Sequence, residues 1–574
     1  MESYAQGAGV EGQRSTRQGS YAAAHALLTK YGWPALLLTT AIVSCLQQHR
    51  LLRKLTTLYL NEDHALLWMA AKDWARLDIR EPTFYGQSYG VTFEAIPTAI
   101  LHAFGVPYPI ALPAALAGMA LLAWWLLAWA AARRGMYFAA LLAVGGPVLV
   151  NFEHWIVVEV IGTGVGRLLA AACAALVLGW PSTRRNVALA VALGGAAVAV
   201  DNASALLAFP ALLWAGLDWL PKRRVWLPAI AALIVPVAWL ALNAWYDAKH
   251  PDHALHPRWA FSPELYALIE NWRGPDPLLR IQALELYRHG MIVPLAIMLA
   301  LALAIAVRAQ REALTVASLL ALLALLSSLP KSMDQMSSLW FPAARMTLAG
   351  PMAVWFAGCV TLRAVIKRAR HNLALFPYWP GLRLLALAAI VAAIASSALL
   401  VKSTWRARIE PIREAGLKEW IMPLRTPDAI VSICDRAVDA ARDAETNIVA
   451  FPHDRTAAYA CSALYPDLVT VFPQYERRTW VLEQLSTLNI DRMLLWGFGP
   501  DFCNERRTRK GFRDCKPLAD DGAVMLEFKA PGPALAALRL IGHKPRPFGP
   551  GCNPNAIQTC PWWFDTYARK KTKR

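Results

Sequence analysis

Two acidic residues and a histidine, Glu62, Asp63 and His64, directly follow the first long apolar segment of the chain. A carboxylate within hydrogen-bond reach of a hydroxyl group can take its proton as the oxygen attacks an anomeric carbon. Asp63 is therefore a candidate general base, with Glu62 and His64 as neighbouring substrate contacts. The alternative is a structural role, because Asp63 precedes His-Ala-Leu-Leu-Trp and could simply cap a helix.

A second polar stretch reads Phe84-Tyr-Gly-Gln-Ser-Tyr-Gly90 and is followed by Glu94. Its glycines permit a tight turn. The polar groups of Tyr85, Gln87 and Tyr89 suit the hydroxyls of a sugar, although aromatic residues at a membrane surface are also typical of a headgroup belt. Glu94 lies in an apolar segment and must pair or face a polar cavity. Glu94 is therefore a candidate site residue.

Further charged residues are candidates for the same polar cavity. Arg167 lies in the Gly-rich start of an apolar segment, and Glu153 and His154 precede it. A charge in such a position must face the protein interior.

A phosphate-bearing donor would need cations, of which Arg makes bidentate contacts and Lys acts as a point charge. The candidates outside the apolar segments are Arg258, Arg273, Arg280, Arg288, His289, Lys331 and Arg345. We favour Lys331 and Arg345 and retain Arg258; the alternative for each is an ordinary contact to lipid headgroups.

The segments that carry these residues are mostly apolar. Of 574 residues, 56% are hydrophobic and 17% are charged, whereas a soluble domain is about 25% charged. Repeated apolar runs approach the roughly 20 residues that a bilayer-spanning helix needs. The sequence predicts an α-helical polytopic membrane protein with about eleven spans. The net charge of +18 is explained by basic loops and anionic headgroups, so no nucleic-acid partner is expected.

Basic clusters follow every second predicted span, which predicts a cytoplasmic N-terminus and an exported C-terminus. The predicted spans are 23–47, 109–132, 137–150, 162–178, 187–200, 205–220, 225–242, 291–307, 314–329, 346–362 and 384–400. The short segment 92–104 is expected not to cross. Arg50, Arg53 and Lys54 run against this orientation.

Three regions follow from this pattern. We predict a cytoplasmic tail over residues 1–22, a membrane domain over 23–402 with an exported catalytic loop over 48–108, and an exported domain over 403–574. The last region alternates predicted strands (446–451, 468–472, 491–496, 523–528) with predicted helices (417–420, 428–444, 479–488), which indicates an α/β layer. Its segment Tyr475–Trp480 is either a glycan contact or the start of a surface helix.

The nine cysteines divide into two groups. Cys45, Cys173 and Cys359 lie in apolar spans and are expected to be small packing residues. The other six lie in the final region: Cys434, Cys461, Cys503, Cys515, Cys552 and Cys560. An even number there favours disulfides in an oxidising compartment, in agreement with the predicted orientation. A zinc site is the alternative, but there is no CxxC pair and histidine is sparse.

Three short segments carry a resemblance to a known family. Asp63-His-Ala-Leu-Leu-Trp68 is similar to D-E-A-Y-x-W, Phe84–Ala95 is similar to F-Y-G-Q-x-Y-x-G-x-x-E-A, and Phe104-Gly-Val-Pro107 follows. The sequence resembles the GT-C superfamily of polyprenyl-phosphate-sugar-dependent glycosyltransferases, especially bacterial family 39-like members. The likeness covers residues 55–220 well and later spans loosely. It departs from the family pattern at Gly90, which is shifted, and at His64, where a second acid is frequent.

The resemblance implies an inverting sugar transfer on the periplasmic side of the bacterial inner membrane. Asp63 would be the base and Glu94 a second acid near the acceptor or donor. The donor would be a polyprenyl-phosphate sugar, and the acceptor a glycan, lipid or protein. No cofactor and no essential metal ion are expected.

Two other functions remain open from the residues alone. A polysaccharide polymerase or ligase would take a lipid-diphosphate-linked glycan and share the topology. A non-enzymatic transporter or flippase would favour inverted repeats and charges at mid-membrane, whereas the sequence shows no repeat and its acids cluster at one face. No motif identifies the donor sugar or the acceptor.

Overall fold

The computed structural model describes residues 31–58, 60–85, 90–160, 164–219, 221–249, 263–273, 279, 282–329, 346–371, 384–401, 407, 425–452, 454–472, 478–497, 502–503, 512–518 and 522–540. Five predicted site residues, Gln87, Tyr89, Arg258, Lys331 and Arg345, lie outside these ranges, as does the candidate cation Arg280. The predicted N-terminal tail and Cys552 and Cys560 also lie outside them.

The described residues up to Val401 form mainly helices. These are α1 (Trp33–Lys54), α2 (Glu62–Ala75), α3 (Ala95–Ala103), α4 (Tyr108–Arg133), α5 (Tyr137–Leu149), α6 (Phe152–Val160), α7 (Gly164–Gly179), α8 (Arg184–Val200), α9 (Ala205–Trp219), α10 (Trp226–Ala232), α11 (Ile234–Lys249), α12 (Leu265–Arg273), α13 (Ile292–Ala306), α14 (Gln310–Ser327), α15 (Gly350–His371) and α16 (Leu384–Val401). A short 3-10 turn, Thr56–Leu58, joins α1 to the segment before α2.

Every predicted span overlaps at least one helix in its described part. Within the described part of the chain, four helical segments are long and apolar enough to cross a membrane: α4, the α10–α11 stretch, α14 and α16. A fifth is obtained if the bent pair α6 and α7 forms one span. The chain is a multi-pass membrane protein, and the count of about eleven spans stays a prediction.

Helix α4 illustrates how the sequence sets these elements. Pro109 lies in its first turn, where a missing backbone N–H costs nothing, and Arg133 lies in its last turn, where its charge complements the helix dipole. Gly135 then adopts a φ of +72° and ends the helix. The interior of the bundle is formed mainly by apolar side chains of α4, α5, α7, α9, α14 and α15.

The described residues between the predicted spans 137–150 and 162–178 mainly form the helix α6. Its start is stabilised by Asn151, whose Oδ1 accepts a hydrogen bond from the Glu153 amide at 3.2 Å. The axes of α6 and α7 differ by 117°. The change of direction brings polar residues of α6 beside the first turn of α7.

The C-terminal region contains α17 (Pro427–Asp443), β1 (Ile448–Ala450), α18 (Arg455–Leu464), β2 (Val469–Val471), α19 (Thr479–Thr487), β3 (Asn489–Trp496), β4 (Phe512–Leu518), β5 (Ala523–Pro533) and α20 (Ala534–Leu540). The strand order is β2-β1-β3-β5-β4. β1 is parallel to β2 and β3, whereas β5 is antiparallel to β3 and β4. The predicted α/β layer is confirmed, although β4, α18 and α20 were not predicted.

Two disulfide bonds form in this region, which agrees with the predicted disulfides. Disulfides join Cys434 on α17 to Cys461 on α18, and Cys503 to Cys515 on β4. Of the cysteines in the spans, Cys173 and Cys359 are buried. The packing role predicted for Cys45 is wrong, because this residue is exposed on α1.

Helix α2 packs between the membrane helices and the α/β layer. Just before it, Leu60 pairs with Arg425, where the chain enters the layer, and the Leu60 amide donates to the Arg425 carbonyl at 2.9 Å. Side chains of α2, α3 and the start of α4 share one apolar cluster with α17, α18, β1 and β3. The predicted catalytic loop is therefore part of the contact between the two regions.

Candidate functional site

The first turn of α2 presents the predicted acids. Asn61 is the N-cap, and its Oδ1 accepts a hydrogen bond from the His64 amide at 2.8 Å. The alternative role of Asp63 as the cap is therefore wrong. Glu62 and Asp63 occupy the first turn, where the positive end of the helix dipole stabilises a carboxylate. His64 is buried, with a relative exposure of 2%.

Glu62 makes an ion pair with the α/β layer. Its Oε2 lies 2.5 Å from Nη1 of Arg455, and the side chains are 12% and 4% exposed. The Arg455 guanidinium also stacks over Phe472 at 4.9 Å. Breaking a buried ion pair by removing one partner costs about 3–5 kcal/mol, so this contact fixes the start of α2 against α18. Successive residues on an α-helix are rotated by about 100°, so Asp63 projects in a different direction from Glu62.

The other end of α2 is also held by polar contacts. The Lys72 ammonium donates to the Ser462 carbonyl at 2.9 Å. The Tyr85 hydroxyl donates to Asp73 Oδ2 at 3.1 Å, and the Tyr85 ring packs edge-on against Trp480. Burial raises the pKa of Asp73, against the opposing effects of Lys72 and of the Tyr85 hydrogen bond. Tyr85 is fully buried, and its contact with a substrate stays a prediction.

Arg478 belongs to the same contact region. It was predicted either to contact a glycan or to start a surface helix, but it is only 1% exposed. Its guanidinium donates to Met69 Sδ of α2 at 3.4 Å and to the Thr470 carbonyl at 2.6 Å. The predicted start of a surface helix is confirmed, because Arg478 is the N-cap of α19, while its own side chain lies between α2 and the layer. The glycan contact of this segment stays a prediction.

A second group of predicted residues meets at the start of α7. Glu94 and Arg167 are 1% and 2% exposed. The Glu94 Oε1 accepts a hydrogen bond from the Val165 amide at 3.3 Å. Arg167 lies within electrostatic range of both Glu94 and Asp201. This cluster of Glu94, Arg167 and Asp201, the Arg167 cluster, confirms that a charge in this apolar segment has opposite charges as neighbours.

His154 on α6 completes the polar surroundings of the cluster. It is 1% exposed and lies beside Arg167 and Gln282. Gln282 in turn donates to Thr347 Oγ1 at 3.3 Å. Glu153, the preceding predicted residue, is half-buried. The structure thus brings together His154, Arg167 and Glu94, as predicted, while Asp201 and Gln282 were missed.

Desolvation dominates the titration of Glu94, whose carboxyl lies at the start of the short helix α3, outside the membrane-spanning segments. Burial raises the pKa of Glu94 to about 7, and the Asp201 carboxylate adds to this effect. Backbone hydrogen bonds and the positive charge of Arg167 act in the opposite direction. The Glu94 carboxyl therefore changes its protonation state close to neutral pH.

Gly166 permits the close approach on which the Arg167 cluster depends. A Cβ at this position would lie 2.5 Å from Asp201 Cβ and 2.7 Å from Ser204 Oγ. Asp201 is itself fixed, because its carboxylate accepts hydrogen bonds from the Ala203 amide and the Ser204 hydroxyl, each at 3.1 Å. Any side chain at position 166 would push Asp201 away from α7.

Of the other predicted phosphate contacts, Arg288 already pairs with Glu285, at 2.6 Å. Within the described ranges, no group of three or more His, Cys, Asp or Glu is arranged to hold a metal ion. The expectation that catalysis needs no metal stays a prediction.

No protein-family model matches this sequence, and no curated protein matches it. Among solved structures, the chain is similar to the crystal structure of ArnT from Cupriavidus metallidurans in the apo state. The two are 16% identical with a TM-score of 0.48, over 88% of this chain and 98% of that chain. At this level of similarity, inference about activity depends on the residues of this chain.

The raised pKa of Glu94 predicts a pH-dependent stability. Between the ordinary pKa of a glutamate and about 7, the folded protein keeps a proton that the unfolded chain has lost. The stabilisation that the protonated Glu94 carboxyl contributes to the folded state is therefore complete at low pH and is lost as the pH rises through about 7. The loss corresponds to about 3 kcal/mol of unfolding free energy.

Glu94→Gln keeps the side chain neutral at every pH and should remove this dependence. We expect the melting temperature of the variant to rise relative to that of wild type as the pH increases from 5 to 8. Glu445→Gln, at a carboxyl whose side chain is 78% exposed, serves as the control. A difference in melting temperature between Glu94→Gln and wild type that stays constant from pH 5 to 8 would contradict the raised pKa of Glu94.

Gly166→Ala should destabilise the protein by about 1–3 kcal/mol, the usual cost of overpacking. Gly118 in α4 is the matched control, because a Cβ there has no neighbour within 4 Å. Gly118→Ala should be neutral or stabilise by up to about 1 kcal/mol. Thermal unfolding of both variants in lipid nanodiscs measures the difference. Equal melting temperatures would show that the space at Gly166 is not needed.

Proposed function

We propose that this chain is an integral-membrane, inverting glycosyltransferase of the GT-C type that uses a polyprenyl-phosphate-linked sugar. The observation that carries the proposal is the position of Asp63. It lies in the first turn of a helix that is fixed at both ends, at Glu62 by Arg455 and at Lys72 by Ser462. A rigid support of this kind is what a base needs to meet an acceptor hydroxyl repeatedly in one geometry.

In the proposed reaction, the Asp63 carboxylate accepts the proton of the acceptor hydroxyl. The acceptor oxygen forms a bond to the anomeric carbon, and the bond from that carbon to the phosphate oxygen breaks with inversion. Its electron pair leaves with the polyprenyl phosphate, on which negative charge grows. Cations near the departing phosphate would stabilise this charge, and Arg258, Lys331 and Arg345 are the proposed residues.

The Arg167 cluster provides a polar wall where α3 meets the start of α7. We assign to Glu94 the role of orienting the acceptor, with Arg167 and His154 beside it. A buried charged group of this kind in a membrane protein typically marks a substrate path. Glu62 and His64 are proposed to support the substrate from the start of α2, and Glu153, Tyr85, Gln87 and Tyr89 from the surrounding segments.

The proposed location is the bacterial inner membrane, with the N-terminus in the cytoplasm and the α/β layer in the periplasm. The two disulfides of the layer support an oxidising compartment on that side. The acceptor would be an exported glycan, lipid or protein, since α2 faces the same side as the layer.

Asp63→Asn should reduce turnover about 10²–10⁴-fold, the usual contribution of a general base, with little effect on donor binding. The assay measures release of polyprenyl phosphate from a panel of synthetic polyprenyl-phosphate sugars by the full chain in nanodiscs, with envelope extract as the acceptor source. Asp78→Asn is the matched control, because this carboxylate lies after the same helix and pairs with Arg80 on the surface.

Undiminished transfer by Asp63→Asn would refute its assignment as the base. If wild type consumed no monophosphate donor but did consume a lipid-diphosphate-linked oligosaccharide, the polymerase or ligase would replace our proposal. Translocation of the lipid-linked sugar across the bilayer without transfer would replace it with the transporter.

A further inference from the structure

A cavity of about 190 Å³ lies between the ends of several membrane helices, remote from α2. It is bounded by the ends of α4 and α7, the start of α8, the end of α9, the start of α14 and the side of α15. The length of α4 gives the distance between α2 and the cavity. Tyr108 at the start of α4 stacks on Trp68 of α2, and Arg134, which lines the cavity, follows the end of α4. With a rise of 1.5 Å per residue, the cavity lies about 39 Å from that contact, which exceeds the roughly 30 Å thickness of a bilayer core.

Three arginines, Arg134, Arg311 and Arg363, line this cavity, which we term the Trp214 pocket, and two of them lie over the Trp214 ring. The guanidinium of Arg311 lies 3.7 Å from the centre of the Trp214 ring, and that of Arg363 lies at 5.9 Å. Arg134 donates to the Leu178 and Trp180 carbonyls at 2.8 and 3.0 Å, and so holds the end of α7. The Nε of Arg311 is buried and makes no hydrogen bond to described residues.

The charges around the pocket are not balanced. Asp218 faces Arg311 at 3.6 Å but also pairs with Lys222 at 3.0 Å. Glu312 accepts a hydrogen bond from Trp214 Nε1 at 3.1 Å. Arg134, Arg311, Arg363 and Lys222 thus face two carboxylates, Asp218 and Glu312. Burial, followed by the neighbouring charges of Arg363 and Arg133, lowers the pKa of Arg134, so an anion between these arginines would relieve their mutual repulsion.

We propose that the Trp214 pocket binds the phosphate of an anionic phospholipid headgroup. Guanidinium groups bind phosphate through paired hydrogen bonds, and tryptophans are favoured at the headgroup level. The volume corresponds to about six water molecules of roughly 30 Å³ each, which accommodates a phosphoglycerol headgroup. Leu176, Val177 and Val187 line the apolar side of the pocket, where the first carbons of the acyl chains would pack.

A membrane lipid is favoured over a soluble anion because of the surroundings. The helix ends on this side carry the basic residues of the predicted cytoplasmic face: Arg133, Arg134, Arg184, Arg185, Lys222, Arg224, Arg308, Arg311 and Arg363. Each such charge attracts anionic lipid to the adjacent leaflet by about 1 kcal/mol. The pocket would then select one lipid molecule from an already enriched layer.

The test measures how much phosphatidylglycerol stays bound to the full chain extracted from phosphatidylcholine nanodiscs that contain a minor fraction of it. We expect the double variant Arg311→Gln with Arg363→Gln to retain about tenfold less, as expected for lost charge-assisted hydrogen bonds. The matched control, Arg184→Gln with Arg308→Gln, removes two exposed charges on the same side outside the pocket and should retain the wild-type amount. Arg363→Gln alone, at an exposed residue, should weaken retention without loss of thermal stability.

Each other outcome would overturn the proposal. Equal loss in both double variants would mean that general surface charge holds the lipid. Unchanged retention in the pocket variants would mean that the arginines do not bind it. If millimolar glycerol phosphate or inorganic phosphate stabilised the detergent-purified chain as strongly as phosphatidylglycerol, the ligand would be a soluble anion. These measurements do not depend on glycosyl transfer.

Discussion

The buried ion pair between Glu62 and Arg455 is the contact on which the arrangement of the candidate site depends. It joins the first turn of α2 to the first residue of α18, although the two residues are 393 positions apart. Without it, two desolvated charges would remain unpaired in the contact between the membrane helices and the α/β layer, which is strongly destabilising. Because Asp63 is the next residue in the same helical turn, this contact also fixes its position.

The same physical rule explains the Arg167 cluster, where α3 meets the start of α7. Arg167 can be buried because Glu94 and Asp201 lie near it, and Gly166 allows Asp201 to come so close. A protein interior of low dielectric constant tolerates a charged side chain only when opposite charges lie near it. The burial that keeps this group away from water also brings the pKa of Glu94 to about 7. Burial of the cluster therefore accounts both for the close packing of Asp201 against Gly166 and for the raised pKa of Glu94.

The sequence predicted what depends on local pattern. Apolar runs located the membrane helices, short strand-like segments located β1, β2, β3 and β5, and the cost of buried charge drew attention to Glu94 and Arg167. Contacts between distant segments were not predictable. Arg455 carries no local signal for its pairing with Glu62, and Asn61 replaced Asp63 as the N-cap because competing caps differ only slightly in free energy. β4, with Pro517 and three charged residues, lacks a strand-like pattern and forms through pairing with β5.

The central claim is that the α/β layer holds the helix that carries Asp63. A double-mutant cycle of Glu62→Gln and Arg455→Gln, measured by thermal unfolding of the full chain in nanodiscs, tests it most directly. We expect each single variant to lose about 3 kcal/mol and the double variant to lose little more than one of them, because the partner charge is then no longer left buried and unpaired. Losses that simply add, or a stable Arg455→Gln variant, would contradict the claim.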